Sequence, residues 1–211
     1  KFIRFRRHQC ITHCTENINP MTTDHSQSVV QTSNKPSDQA SNRLMEELSY
    51  PIYLDKEAIQ KFIPHRDAML FAQNVIVLDH NHYQGDTTWS ADSFVFQGHF
   101  PGAPIVPGVI IVEAGAQIAG VGLLAGDPKS RASVSDNIGL LAGIRKCFFR
   151  RPVPPGLKLT FDIHIRHIAD DVVNVSSEVS CEFGSVASLE FVFAQKPLET
   201  LVQHLGQVNA T

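Results

Sequence analysis

The chain is poor in the features that mark several large protein classes. It has four cysteines in 211 residues: Cys10 and Cys14 crowd the start, and Cys147 and Cys181 fall in strand-like stretches, so no disulfide scaffold is expected. It carries no excess of basic charge, the formal net charge being -3, which gives no support to a general nucleic-acid binder. The first fifteen residues lack the uninterrupted apolar core of a secretory signal. The apolar run from Val109 to Ala125 is shorter than the roughly 20 residues of a membrane span and carries Glu113 and three glycines, so no membrane crossing is expected. What is present, 43% hydrophobic and 18% charged residues, suits one soluble domain with an appendage.

The appendage comes first. Residues 1–15 hold four Lys/Arg and no acid, like an organelle presequence but with few serines, and residues 16–44 are polar without apolar periodicity. Residues 1–45 are therefore expected to be a flexible extension, not necessarily native, followed by a folded domain over 46–198 and a C-terminal tail over 199–211. His8, Cys10, His13 and Cys14 are too crowded for a standard zinc pattern, and no metal is expected there. A cytoplasmic location is expected, with organellar import through the basic start left open.

The domain is organised around Gln97 to Gln117, QGHFPGAPIVPGVIIVEAGAQ. Pro107-Gly108 precedes the apolar run and Gly126 and Pro128 follow it, a start and a stop for a helix that is apolar on every face and hence buried. Gly115, Ala119, Gly122 and Gly126 share one face, where small residues allow another backbone to come close. Glu113 is the exception, because a buried carboxylate must be neutral, paired or beside a polar cavity. His99, fourteen residues earlier on a proline-stiffened loop, is a candidate partner. The helix start at Gly108 and Val109 adds backbone N–H groups and a positive dipole end, suited to a carbonyl oxygen gaining charge.

Around this stretch the pattern is mostly strand. Asp55 can cap a short helix that Pro64 ends, and His65-Arg66 read as a hydrogen-bonding corner rather than as catalytic groups. Residues 74–78 and 83–89 form a hairpin joined by Asp79-His80-Asn81-His82. His80 and His82 alternate in that turn, but no third ligand is near in sequence, so a solvated loop is the expectation. Phe94 and Phe96 should line the core or a cavity, and residues 127–136 should form a polar surface connection. The stretch 138–150 is a long strand. In the next, Leu157, Leu159, Phe161, Ile163 and Ile165 alternate with Lys158, Thr160, Asp162, His164 and Arg166, one face buried and one wet. Two more antiparallel strands follow, over 172–183 and 186–195. The pattern gives an α+β domain in which a curved antiparallel sheet wraps a long central apolar helix.

Gly98-His99-Phe100-Pro101-Gly102, then Pro104, Pro107-Gly108-Val109, Glu113-Ala114 and Gln117, resemble the signature of the 3-hydroxyacyl-[acyl-carrier-protein] dehydratases of type II fatty acid synthesis. The resemblance runs upstream to Ile63-Pro64-His65-Arg66 and downstream through Ala142-Gly143-Ile144 to Phe149-Arg150-Arg151-Pro152-Val153 and Gly156, covering about residues 52–196. It implies a hotdog fold, and glutamate rather than aspartate at 113 resembles the dehydratase-only branch. Two departures bear on the pocket. Gly115 stands where the family has a large residue, suggesting a wider pocket, and Ala68 to Gln73 replaces a characteristic apolar stretch.

The resemblance implies dehydration of (3R)-3-hydroxyacyl-[acyl-carrier-protein] to trans-2-enoyl-[acyl-carrier-protein], with His99 as base and Glu113 as acid. Burial is expected to raise the pKa of Glu113 so that it keeps a proton. Gly108 would polarise the thioester carbonyl, and Gln117, one turn beyond Glu113, would orient its carboxyl. Phe94, Phe96, Phe100, Pro107, Val109 and Gly115 are the candidate tunnel residues. No cofactor is expected beyond the phosphopantetheine arm of an acyl carrier protein, for which Arg145, Lys146, Arg150 and Arg151 are candidate docking residues. The resemblance also implies a homodimer sharing its active sites between subunits, with hexamers as trimers of dimers. A hotdog thioesterase, a non-catalytic acyl-binding subunit and a specialised dehydratase of polyketide or polyene synthesis stay open as alternatives.

Overall fold

The computed structural model describes residues 48–132 and 137–208. The extension over 1–45, with His8, Cys10, His13 and Cys14, lies outside the described residues. The order of elements is β1 (Ile52–Leu54), α1 (Lys56–Ile59), β2 (Asn74–Asp79), β3 (His82–Thr87), α2 (Gly108–Gly126), α3 (Pro128–Ala132), β4 (Asn137–Phe149), β5 (Leu159–Ala169), β6 (Val172–Cys181), β7 (Gly184–Pro197) and α4 (Leu198–Val208). The seven strands form one antiparallel sheet in the order β1-β2-β3-β5-β6-β7-β4.

The period-two pattern of β5 decides how the sheet meets the helix. Leu159, Phe161, Ile163 and Ile165 are buried, and so are Val173, Val175 and Val179 of β6 and Leu189, Phe191 and Phe193 of β7. These inward side chains close over α2, in which every residue from Ala114 to Gly126 is buried. Phe161 and Phe191 are fully enclosed, and burial of each stabilises the fold by roughly 1.5–3 kcal/mol. Among the described residues α2 is the one helix long and apolar enough to cross a membrane, and it is the covered core of this sheet.

The small-residue face of α2 receives side chains from the sheet, where the sequence suggested a backbone. A Cβ on Gly122 would stand 2.3 Å from the Tyr83 ring, and one on Gly126 would stand 2.5 Å from Val77 Cγ1. Gly115 faces the same way, its missing side chain replaced by Phe161 and Leu189.

Several boundaries differ from the sequence reading. The three-residue strand β1 was missed because it is too short to show periodicity, although it pairs with Val75 to Val77. The polar connection after α2 contains a short helix, α3, begun by Pro128, with Asp127 Oδ2 accepting from Ser130 N at 2.7 Å. Residues 199–208 of the stretch read as a tail belong to helix α4.

β4 differs from the other long strands. Among the described residues it pairs with β7 alone and ends the sheet, and no residue along it is fully buried. Leu141, Ile144, Phe148 and Phe149 are exposed on it. A long edge strand with exposed apolar side chains is a ready surface for further strand pairing.

Candidate active site

Glu113 sits on the second turn of α2, half-buried, at the wall of a cavity of about 190 Å³. Apolar groups make most of that wall, among them Ile63, Leu124 and Phe193, and β4 borders one side with Asn137, Gly139, Leu140 and Leu141. The polar groups converging on it are Glu113, Gln117 and His65.

Gln117 is one helical turn beyond Glu113 and is buried. Its Nε2 donates to Glu113 Oε1 at 3.0 Å and to Met69 O at 2.8 Å, while its Oε1 accepts from the N–H of Phe71 at 2.8 Å and of Ala72 at 3.4 Å. The carboxamide therefore ties the carboxylate to the chain segment before β2.

His65, read in sequence as part of a hydrogen-bonding corner, faces the same cavity. Its Nε2 lies 3.5 Å from Glu113 Oε1, and its Nδ1 is buried with no hydrogen-bond partner among the described residues. The expected corner is built by Arg66, whose guanidinium donates to the carbonyls of Gln60, Ile63 and His65 at 2.7–2.9 Å, leaving the preceding imidazole aimed at the cavity. The Ile63-Pro64-His65-Arg66 motif was the available signal, but nothing in sequence said which of its two polar residues turns inward.

His65 also corrects the electrostatic expectation for Glu113. The hydrogen bond from His65 holds the carboxyl below its ordinary range; burial pushes the other way, but the bonds from His65 and Gln117 together outweigh it and the net direction is downward.

His99 belongs to a separate loop. Gly98, Phe100 and Gly102 all have left-handed backbone, φ +76°, +56° and +85°, so the imidazole is held in a tight reversal. A bulky residue at positive φ is unusual and is a strained position. His99 Nδ1 donates to Ile105 O at 2.9 Å, so in the neutral ring it is Nε2 that carries the lone pair. The ring packs on Phe100 at 4.2 Å. Among the described residues of this one chain, the ion-pair partner of Glu113 is His65, not His99.

The other predicted residues spread around these two centres. Gly108 begins α2 with no side-chain cap from Pro107, and a Cβ there would stand 2.9 Å from the Phe149 ring, so the helix start and the end of β4 are neighbours. Val109 and Phe100 are exposed; Phe94 stacks on Phe71 at 6.4 Å, and Phe96 packs against the core. Phe94, Phe96, Phe100, Pro107, Val109 and Gly115 are not among the residues lining Glu113's cavity. For Gly115 the reason is direct: it faces Phe161 and Leu189, so it accommodates the sheet and does not widen that cavity.

The basic residues do not form one rim. Arg150 donates to Ser188 Oγ at 3.0 Å and Arg151 to Phe183 O at 3.0 Å. Lys146 Nζ lies over the Phe148 ring at 5.2 Å, and Arg145 lines a groove on the outer face of the sheet. Among the described residues, His82, Asp162 and His164 are close enough to share a metal ion, and they are also on that outer face.

A curved antiparallel sheet closed around one buried helix, with a carboxylate of that helix lining an apolar cavity, defines a hotdog-fold protein. Residues 63–185 match the FabA-like domain family, and the chain belongs to that family. It is 34% identical over 146 residues to the 3-hydroxyacyl-[acyl-carrier-protein] dehydratase FabZ of Caldanaerobacter subterraneus subsp. tengcongensis, covering 68% of this chain and 100% of that protein. It is 38% identical over 136 residues to the protein of the same name from Verminephrobacter eiseniae, covering 61% and 89%. Among solved structures, the dehydratase heterocomplex ApeI:P from Xenorhabdus doucetiae contains a chain of the same fold, with TM-score 0.57 and 19% identity over 75% of this chain and 99% of that one.

Proposed function

We propose that this chain removes water from (3R)-3-hydroxyacyl-[acyl-carrier-protein] to give trans-2-enoyl-[acyl-carrier-protein] in fatty acid elongation, in the cytoplasm. It works as a homodimer in which each site takes Glu113 from one copy and His99 from the other. The observation that carries this reading is the position of Glu113: its cavity is bordered by β4, an end strand of the sheet with exposed apolar side chains, while His99 is not among the residues that line it. A second copy seated along β4 supplies what one copy lacks. The curated dehydratases, matched over nearly their full length, support the same chemistry.

In this site His99 Nε2 takes the proton from the carbon next to the thioester carbonyl, the electron pair forms the new double bond, and the C3 hydroxyl leaves. Glu113 gives that hydroxyl a proton, so water departs, and the proton on His99 returns to the carboxylate through solvent. The N–H of Gly108 at the start of α2 stabilises the charge building on the thioester oxygen. Gln117 fixes the carboxyl in place. The acid role asks Glu113 to hold a proton although His65 favours its charged form. Cover by the partner and the acyl chain removes water from the cavity and strengthens desolvation, which already acts to raise this pKa. The elimination is redox-neutral, and the substrate arrives on the phosphopantetheine arm of an acyl carrier protein.

Mixing two inactive variants tests the arrangement. His99→Ala and Glu113→Gln, dissociated together and reassociated, should recover about one quarter of wild-type dehydration, because half the dimers are mixed and each has one intact site. Activity staying at the level of the separate variants would place both residues in one subunit's site and refute the shared arrangement.

A further inference from the structure

The outer face of the sheet carries a second group of reactive side chains. His82 opens β3, and His164 lies directly opposite it on β5 in the antiparallel register, with Asp162 two residues before. That spacing puts Asp162 and His164 on one face of β5, while Phe161, Ile163 and Ile165 point into the core. The two imidazole rings stack at 4.1 Å. Both turn toward one carboxylate: His82 Nε2 lies 2.7 Å from Asp162 Oδ1, and His164 Nε2 lies 3.7 Å from Asp162 Oδ2. Gln84 Nε2 donates to Oδ1 at 3.2 Å and steadies that carboxylate. One ligand atom from each of the three residues can be chosen so that all lie within 4.8 Å of one another.

We propose that His82, Asp162 and His164 form a binding site for a divalent transition metal of the zinc class, separate from the dehydration chemistry. Two imidazole nitrogens and one carboxylate oxygen are borderline ligands that suit zinc, nickel or copper and discriminate against magnesium and calcium. Zinc bonds of about 2.0–2.2 Å in a tetrahedron separate neighbouring donors by roughly 3.4 Å. The 3.7 Å pair is already close to that span, and the 2.7 Å pair opens as the ion replaces the proton on His82 Nε2. The side chains are 27%, 46% and 58% exposed for His82, Asp162 and His164, so the ion can enter and water can take the fourth position. Glu178, in register with Asp162 on β6, adds negative charge beside the site. A bound ion would tie β3 to β5 across the middle of the sheet. The third ligand that the His80 and His82 turn lacks comes from a strand 80 residues away, and His80 takes no part.

The test is zinc titration by calorimetry of the full chain, stripped by a chelator, beside His164→Gln, Asp162→Asn and the double variant His82→Asn/His164→Gln. Because His8, Cys10, His13 and Cys14 are also present, the reading is the difference between proteins. The wild type should take up one equivalent more than the double variant, with each single change weakening that site at least about tenfold. Melting in the absence of zinc checks that the variants fold. Should the double variant fail to fold, imidazole ¹⁵N spectra of the wild type, assigned with the exposed His164→Gln, give the same answer: the Nε2 signals of His82 and His164 move together at one equivalent. Equal stoichiometry and affinity in wild type and variants, or histidine signals that stay fixed, overturn the proposal.

Discussion

Replacing Gln117 by methionine keeps the length of the side chain and removes every hydrogen bond it makes. The carboxamide serves two buried N–H groups, at Phe71 and Ala72, the carbonyl of Met69 and the carboxylate of Glu113. Met69 and Glu113 retain access to water, whereas Phe71 and Ala72 are buried, so the Phe71 N–H, the shorter of the two bonds, is left without an acceptor. An orphaned buried donor costs about 1–3 kcal/mol, and loss of the charged bond to Glu113 adds about 1 kcal/mol, so we expect a loss of roughly 2–4 kcal/mol. In a domain of this size that lowers Tm by about 4–16 °C. The loss should appear in urea titrations followed by circular dichroism, with an unchanged slope. Dehydration should fall as well, since the carboxyl is no longer held. Stability within 0.5 kcal/mol of the wild type would show that water or a rearranged segment replaces the carboxamide, and the positioning argument would fail.

Three further outcomes follow from the same contacts. Gly122→Ala pushes a methyl group to within 2.3 Å of the Tyr83 ring and should destabilise the fold by about 1–3 kcal/mol in the same urea assay, a neutral result meaning that ring and helix are not packed as described. His65→Ala removes the largest influence lowering the Glu113 pKa, so that pKa should rise. A carboxyl depressed in the folded state contributes stability above its unfolded pKa and loses it as pH falls through the folded value; between neutral pH and the acid range the variant should therefore lose less stability than wild type, and an equal loss would deny the pairing. Ile144→Asp places a charge on the exposed apolar edge strand and should leave a folded monomer without activity in sedimentation and turnover assays, whereas an intact dimer would remove β4 from the interface.

The parts of the fold carried by local pattern were legible in sequence. A helix apolar on nearly every face, too short and too glycine-rich for a membrane span, reads as a core helix, and the alternation of Leu159 to Ile165 reads as a strand wet on one side. The family motif likewise drew attention to Glu113, Gln117 and His99, because their spacing and turn residues are local. What escaped was decided between distant segments. Whether Gly115 opens a cavity or admits Phe161 depends on how the sheet curves, and whether His65 or Arg66 faces inward depends on which carbonyls the end of α1 leaves to be capped. The group at His82, Asp162 and His164 exists only through the register of β3 with β5, which no single window of sequence contains.

The most direct measurement is turnover of a 3-hydroxyacyl carrier-protein thioester by the full chain, followed by mass spectrometry of the acyl arm, with His99→Ala and Glu113→Gln alongside. The account predicts that the wild type removes one water and neither variant does. Release of free acid, or a bound thioester that stays unchanged, would contradict it.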